Sequence, residues 1–283
     1  MTRIYLRPTG FIDSPQQHDG ASARLAGTML WATQIEVIDK TGAGTTRKLV
    51  DLREWEGFTA SLPVEKHERC VELFGRMTSL RAPLQLGQRT IRLDQPQVMA
   101  ILNATPDSFS DSGKFSDLDT ATSAAITMSS AGAAIIDVGG ESTRPGAELV
   151  WEGEEISRVV PLIERLANAG TAVSVDTRKA AVMKAAVEAG AGLINDISAL
   201  LYDDRALEVA KAAGVPVVLM HAPSQSSDPH KGGAYGDVVT EIFDWLEARV
   251  SEVELAGIER QKILIDPGIG FGKSLSENLA IIN

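Results

Sequence analysis

Val98-Met-Ala-Ile-Leu-Asn103 is a short apolar run that stops on a polar residue, and five more runs like it follow. They are Ile135–Val138, Ala172–Val175, Leu193–Ile194, Val215–Met220 and Ile263–Ile265. Short apolar runs bounded by turn signals suit strands covered on both faces, as in a parallel sheet. Helical patterns lie between them. Val159, Leu162, Ile163 and Leu166 recur at i, i+3, i+4 and i+7, and Val238, Ile242, Trp245, Leu246 and Val250 do so approximately. Strand alternating with helix predicts βα units. The runs end at Asn103, Asp137, Asp176, Asn195, His221 and Asp266. A doubly wound sheet binds ligand only at its switch point and so needs few such ends. A (β/α)₈ barrel builds its site from the C-terminal ends of many strands, which predicts the barrel here. The stretch from 97 to 283 supplies six βα units and is shorter than the about 250 residues of a typical barrel. The expectation is an incomplete TIM barrel of about six βα units, with two units absent from this chain.

Upstream the rhythm differs. Leu84–Leu93 reads as a hairpin turning at Gly87-Gln88. Ile35, Val37, Leu49 and Leu52 sit in strand-like segments around Gly42 and Gly44, and Glu65–Leu80 reads as a helix with Val71, Leu73, Phe74 and Met77 as its apolar residues. Residues 1–83 are therefore expected to form a small α+β region, and 84–283 the barrel domain.

Composition excludes several classes. Of 283 residues, 44% are hydrophobic and 23% charged, which rules out a disordered or low-complexity chain. Lys and Arg number 27 against 38 Asp and Glu, a net charge of −11. That balance, with no basic run, argues against nucleic acid or an anionic membrane as the main partner. Cys70 is the single cysteine, so no intramolecular disulfide forms, and a cytoplasmic location is expected. The N-terminus lacks the apolar core of a secretory signal.

Each strand end opens into a loop with chemical potential. Asn103-Ala-Thr-Pro-Asp-Ser-Phe-Ser-Asp-Ser-Gly113 is long for a βα connection. Asp137-Val-Gly-Gly-Glu-Ser-Thr-Arg-Pro-Gly146 combines glycines that let backbone approach a ligand with Thr143 and Arg144, which suit an anion. In Ser174-Val-Asp-Thr177, Thr177 is expected to cap the next helix, leaving Asp176 for a ligand. Asn195 offers both donor and acceptor to a planar heterocycle. Leu264-Ile-Asp-Pro-Gly-Ile-Gly-Phe-Gly-Lys273 places Asp266 to accept two hydrogen bonds from a base edge. It follows with close-approach glycines at 268, 270 and 272 and a cation at Lys273. Neither glycine loop has the Walker A spacing, and His18, His67, His221 and His230 show no zinc spacing with Cys70. His221 is expected to be a packed, hydrogen-bonded histidine, His18 and His67 surface residues, and Met128 and Met183 core.

Together these motifs resemble the dihydropteroate synthase family over about residues 84–283. The resemblance rests on three segments, Val98–Asp111, Ile136–Gly146 and Leu264–Lys273. It implies a TIM barrel that joins 6-hydroxymethyl-7,8-dihydropterin diphosphate to 4-aminobenzoate in folate biosynthesis, releasing diphosphate with help from Mg²⁺. By that resemblance Asn103 binds Mg²⁺ and diphosphate. Asp176, Asn195 and Asp266 hold the pterin edge. Ile197, Met220, Gly270 and Phe271 line its pocket, with Lys273 in the same substrate-binding set. Thr143 and Arg144 belong to the second loop. Phe109 and Pro145 close over 4-aminobenzoate, where sulfonamides compete. The family's Arg-Lys-Ser and Arg-Val-His segments, after its seventh and eighth strands, have no counterpart here, and neither do the helices of its usual homodimer. Met220-His-Ala-Pro-Ser224 also departs from the family's Met-His-Met-Gln-Gly. The alternatives are a non-catalytic pterin-binding homologue and a truncated inactive form. Pterin-dependent methyltransferases, which lack the Thr-Pro-Asp-Ser-Phe-Ser-Asp loop, stand further off.

Overall fold

The structure is a computed structural model. It describes residues 3–42, 44–104, 114–142, 144, 147–224 and 228–283. The chain divides into two compact units, Met1–Pro83 with Arg92–Pro96, and Leu84–Ile91 with Gln97–Asn283. Among the described residues no helix is long and apolar enough to cross a membrane.

The first unit is an antiparallel sheet. Strand β3 (Trp31–Thr41) pairs with β1 (Arg3–Ile12) on one side, and with β2 (Ala23–Arg24) and β4 (Gly44–Asp51) on the other. Alternation along β3 turns Ile35 and Val37 to a core shared with Ile4, Val50, Trp55 and Cys70. Helix α1 (Trp55–Ala60) and helix α2 (Val64–Thr78) complete this unit. Two expected core residues are exposed: Leu49 at 55%, because pleating gives Val50 the core face, and Val71 at 53%, because it lies off the buried stripe of Cys70 and Leu73. His67 is half-buried, with Nδ1 3.0 Å from the Thr59 carbonyl, so it is not the surface residue the sequence suggested. The side chain of His18 lies outside the described residues.

The second unit opens with β5 (Leu84–Leu86) and β6 (Arg89–Ile91), a hairpin turning at Gly87-Gln88 with Gly87 at φ +57°. Its backbone lies against Gly192, where a Cβ would come within 2.8 Å of the Leu86 Cα. Arg89 Nε also donates to the Gly170 carbonyl at 2.7 Å. Gly170 and Gly192 lie just before two strands of the main sheet, so the hairpin sits at the N-terminal ends of those strands, opposite the polar ends.

That sheet has six parallel strands: β7 (Val98–Asn103), β8 (Ala133–Gly139), β9 (Val173–Asp176), β10 (Leu193–Asp196), β11 (Val217–Met220) and β12 (Ile263–Asp266). Each lies beside its predecessor, and each is followed by a helix: α3 (Lys114–Ser130), α4 (Glu152–Asn168), α5 (Ala180–Glu188), α6 (Ala206–Ala213), α7 (Val238–Leu255) and α8 (Leu275–Ile282). An order that never reverses has no switch point, and right-handed crossovers put all the helices on one face. This is barrel winding through six βα units. Strands β7 and β12 form the two edges, where Val98, Ile101 and Ile265 are more than half exposed.

The core lies between the sheet and its helices. Leu102, Ile136, Val138, Val173, Val175, Ile194, Val217 and Leu219 meet the apolar stripes of α4 and α5 there. Val159, Leu162, Ile163 and Leu166 are each at most 1% exposed, as their spacing predicts. Met183 is fully buried and Met128 packs against the same core.

Candidate active site

Strand alternation gives the helices one set of side chains and leaves the opposite face to the other set. Parallel register then aligns that second set. Asn103 pairs with Gly139, Gly139 with Asp176, and Asp176 with Asn195, so four of the expected motifs meet in one row across β7 to β10. Asp137 and Ser174 form the row beneath. Met220 pairs with Asp266 at the ends of β11 and β12.

Gly139 supplies the space in the row. A Cβ there would lie 3.5 Å from both Asn103 Oδ1 and Asp176 Oδ2, so the two oxygens face each other across a gap only glycine leaves open. Asn195 Nδ2 donates to Asp137 Oδ2 at 2.9 Å, which leaves its own Oδ1 for a ligand. Asp137 is 3% exposed, and its Oδ1 has no partner among the described residues. Burial pushes the Asp137 carboxyl up, opposed by the Ser174 hydroxyl and the Asn195 amide. Asp176 is pushed well above the usual carboxylate range, first by burial and then by the charges of Asp137, Asp196, Glu155 and Glu141. Two desolvated carboxylates with few donors of their own favour a ligand that brings N–H groups or positive charge.

Asp196 belongs to the other face. Its oxygens accept from Ser198 N at 2.7 Å, Ser198 Oγ at 2.6 Å and Leu200 N at 2.9 Å, and burial raises it to about 6. Those bonds hold a turn in which Ala199 and Leu200 adopt positive φ. The turn follows Ile197, which packs with Met220, Ala222 and Phe271 into an apolar wall beside the polar row.

Phe271 lies in the loop after β12, stacked on His230 with centroids 4.8 Å apart and planes 11° apart. Asp266 spends Oδ1 on the Gly268 N–H at 2.7 Å, so one carboxylate oxygen serves its own loop rather than a base edge. Gly268 and Gly272 are close-approach glycines, since a Cβ would meet the His221 carbonyl at 2.0 Å and Pro223 Cγ at 2.5 Å. Gly270 faces open space and instead answers a φ of +85°.

Three expectations need correction. Lys273 is not aimed at the row. Its ammonium donates to the carbonyls of Gly268 at 2.7 Å, Phe271 at 3.1 Å and His221 at 3.4 Å, so it closes the loop from beneath. Burial lowers it to about 8, against the pull of Asp266 and Glu277. Thr177 does not cap α5. Its hydroxyl donates to Glu155 Oε1 at 2.6 Å, and the helix begins after Lys179. Asp176 is nonetheless free of capping duty. His221 is packed edge-on against Trp245 with centroids 5.0 Å apart, but its Nδ1 has no hydrogen-bond partner among the described residues. Burial and the Lys273 charge lower it to about 4, so it is neutral.

Arg144 is exposed, with its N–H 3.4 Å from Ser142 Oγ and its carbonyl accepting from Ala147 N at 3.0 Å. Thr143, Pro145 and Phe109 lie outside the described residues. Asp137 was singled out as a strand end but given no role in the site, although it stands two positions before Gly139 on the same strand face. His230, which backs Phe271, had no sequence signal.

A family model described as pterin binding enzyme matches residues 99–283. The chain is 49% identical, over 67% of its length, to a Haloferax volcanii protein described as a probable bifunctional folylpolyglutamate synthase/dihydropteroate synthase. It is 48% identical, over 66%, to the Bacillus subtilis dihydropteroate synthase. It spans 22% of the first relative's length and 63% of the second's. The structure of Xanthomonas albilineans dihydropteroate synthase with 4-aminobenzoic acid aligns at a TM-score of 0.66 and 45% identity, over 71% of this chain and 72% of that one. The matched region begins in β7 and takes in the whole six-stranded sheet with its polar row, and on that ground the chain belongs to the pterin-binding enzyme family.

Proposed function

We propose that this chain carries the catalytic face of a dihydropteroate synthase, joining 6-hydroxymethyl-7,8-dihydropterin diphosphate to 4-aminobenzoate. The observation that carries the reading is the row of Asn103, Gly139, Asp176 and Asn195, backed by buried Asp137. A pterin edge presents ring and exocyclic N–H groups beside acceptors. Asp176 and Asp266 accept from it, and Asn195 Oδ1 accepts while its amide stays on Asp137. Ile197, Met220 and Phe271 cover the ring faces. Buried polar groups left unmatched cost about 1–3 kcal/mol each, so a ring with the wrong donor pattern is rejected.

In the reaction the bond between the pterin methylene carbon and the diphosphate oxygen breaks, and diphosphate leaves with the electron pair. A bond to the aniline nitrogen of 4-aminobenzoate forms, and that nitrogen loses a proton. Positive charge develops on the pterin as the leaving group departs. Asp176 and Asp137 oppose that charge: the cation favours their ionised forms, which burial and mutual repulsion otherwise disfavour.

The family's Mg²⁺ fits the residues present. Asn103 Oδ1 is a hard oxygen donor facing Asp176 Oδ2, and among the described residues no group of three or more His, Cys, Asp or Glu forms an all-protein cage. Mg²⁺ keeps water and phosphate oxygens in its shell and needs one or two protein ligands. Asn103 would hold it, and its charge would neutralise the departing diphosphate. Thr143, Arg144, Phe109 and Pro145 are assigned to the two substrate loops, and the enzyme is assigned to the cytoplasm, in keeping with one unpaired, buried cysteine.

Purified protein is mixed with the pterin diphosphate and Mg²⁺, and diphosphate release is followed with and without 4-aminobenzoate. Release that depends on 4-aminobenzoate, and that falls at least about 100-fold in Asp176→Asn, is the expected result. Tight pterin binding with no such release would replace the synthase with a non-catalytic pterin binder.

A further inference from the structure

The loop between β8 and α4 has Glu141 near its start and Val150 near its end, and one cation ties these two points together. Lys179 Nζ donates to Glu141 Oε1 at 3.0 Å, to the Val150 carbonyl at 2.7 Å and to Glu155 Oε2 at 2.6 Å. Glu141 Oε1 also accepts from the Val150 N–H at 3.0 Å, and Glu141 Oε2 from Arg178 Nε at 3.3 Å. Both polar groups of the Val150 backbone are therefore engaged, one by each partner of the ion pair. The side chains are buried: Glu155 is 1% exposed, Glu141 8% and Lys179 10%. Beneath them Gly140 passes so close to α4 that a Cβ would meet Val159 Cγ1 at 2.8 Å and Glu155 Cγ at 2.9 Å. Arg158 also donates to the Gly140 carbonyl at 2.8 Å. A buried lysine shared by two carboxylates is costly to desolvate, and packing alone does not require it. What it specifies here is the distance between the ends of the segment that carries Arg144.

We propose that Lys179 is a positioning residue for the synthase reaction: by bridging Glu141 and the Val150 carbonyl it closes the neck of the 142–149 segment and fixes where Arg144 stands. This rests on the function proposed above for its catalytic consequence, but not for the clamp itself. Among the described residues no hydrogen bond of the ion pair is made to a residue of the polar row; Glu141 and Glu155 act on Asp176 only through charge, behind burial and the nearer carboxylates Asp137 and Asp196.

Lys179→Met keeps the length of the stem and removes the donors. Amide hydrogen exchange in 142–149 is expected to rise at least about ten-fold while α4 and α5 stay protected. The kcat/KM for 4-aminobenzoate is expected to fall about 10- to 100-fold, with the Kd of 6-hydroxymethylpterin unchanged within about two-fold. Lys179→Arg should recover most of the loss. If Lys179→Met does not fold, Glu141→Gln carries the test, since it keeps the shape and one acceptor while losing the charge. Unchanged exchange in 142–149 of a folded variant would overturn the clamp. Pterin affinity falling in step with the 4-aminobenzoate parameters would reduce Lys179 to a structural role and overturn it equally. Should the wild-type protein show no turnover at all, the functional reading fails, and the exchange measurement still decides the clamp.

Discussion

Gly139 and Gly140 are adjacent in one motif, and the structure assigns them opposite sensitivities to the same added methyl group. At Gly139 a Cβ would rest 3.5 Å from Asn103 Oδ1 and from Asp176 Oδ2, and 3.6 Å from Asp176 Cβ. These are ordinary contacts, and the backbone there needs no positive φ. Gly139→Ala should fold normally and gain about 0.4–1 kcal/mol from the stiffer unfolded chain. The methyl nevertheless occupies the gap between two site oxygens and blocks a ligand atom from bonding either. Losing one charge-assisted hydrogen bond costs about 1.5–3 kcal/mol, or roughly 10- to 150-fold in affinity. At Gly140 the same methyl would meet Val159 Cγ1 at 2.8 Å and Glu155 Cγ at 2.9 Å, with no room to give. Overpacking of this kind costs about 1–3 kcal/mol, a fall in Tm of several degrees at about 2–4 °C per kcal/mol. Calorimetry on both variants, with titration of 6-hydroxymethylpterin and the diphosphate-release assay, separates the effects. Gly139→Ala should keep its Tm and lose ligand, whereas Gly140→Ala should lose Tm. A Gly139→Ala protein that binds and turns over like the parent would refute the placement of the site on this row.

Further outcomes follow from the charges beneath the site. Arg249 is 6% exposed and donates to the Ala199 carbonyl at 2.7 Å and the Leu200 carbonyl at 3.2 Å, so Arg249→Met should cost about 3 kcal/mol or more in chemical denaturation. A loss under 1 kcal/mol would mean the positive-φ turn holds itself. Asp196 has a folded pKa of about 6, above its unfolded value, so the native state binds the extra proton. Its term therefore favours folding more as pH falls from 6 to 4. His221, at about 4 when folded, does the reverse over nearly the same window, and each term amounts to about 3 kcal/mol. His221→Phe should unmask the carboxylates and make the protein more stable at pH 5 than at pH 7, measured by urea midpoints; a flat or opposite profile in the variant would show that the buried carboxylates are not held above their ordinary range. Lys273→Met should loosen the β12 loop, raising the Kd of 6-hydroxymethylpterin through Asp266 and Phe271 and leaving the 4-aminobenzoate KM within about two-fold; the reverse pattern would return Lys273 to direct contact with substrate.

The site's outline was legible because a polar residue that ends an apolar run interrupts a strong pattern. Asn103, Asp176, Asn195 and Asp266 all announced themselves that way, and register brought three of them into one row. What stayed hidden followed from two physical facts. A strand buried on both faces has no hydrophobic alternation to reveal which face a residue takes. Asp137 and Asp196 therefore look alike in sequence, yet Asp137 lies under the row while Asp196 ties down a turn behind it. A cation beside glycines also reads as an anion site, whether its partners are ligand oxygens or main-chain carbonyls. Lys273 is of the second kind. Only spacing could have separated the two aspartates. Asp137 stands two residues before Gly139, and Ser174 two before Asp176, which is the period of one strand face. Asp196 stands one residue after Asn195 and so belongs to the opposite face. Applied to a barrel strand, a polar pair at i and i+2 marks the inner face, and a polar pair at i and i+1 divides between ligand and scaffold. On that rule the second polar row, Asp137 with Ser174, would be part of the electrostatic environment of a ligand bound on the first row even without touching it.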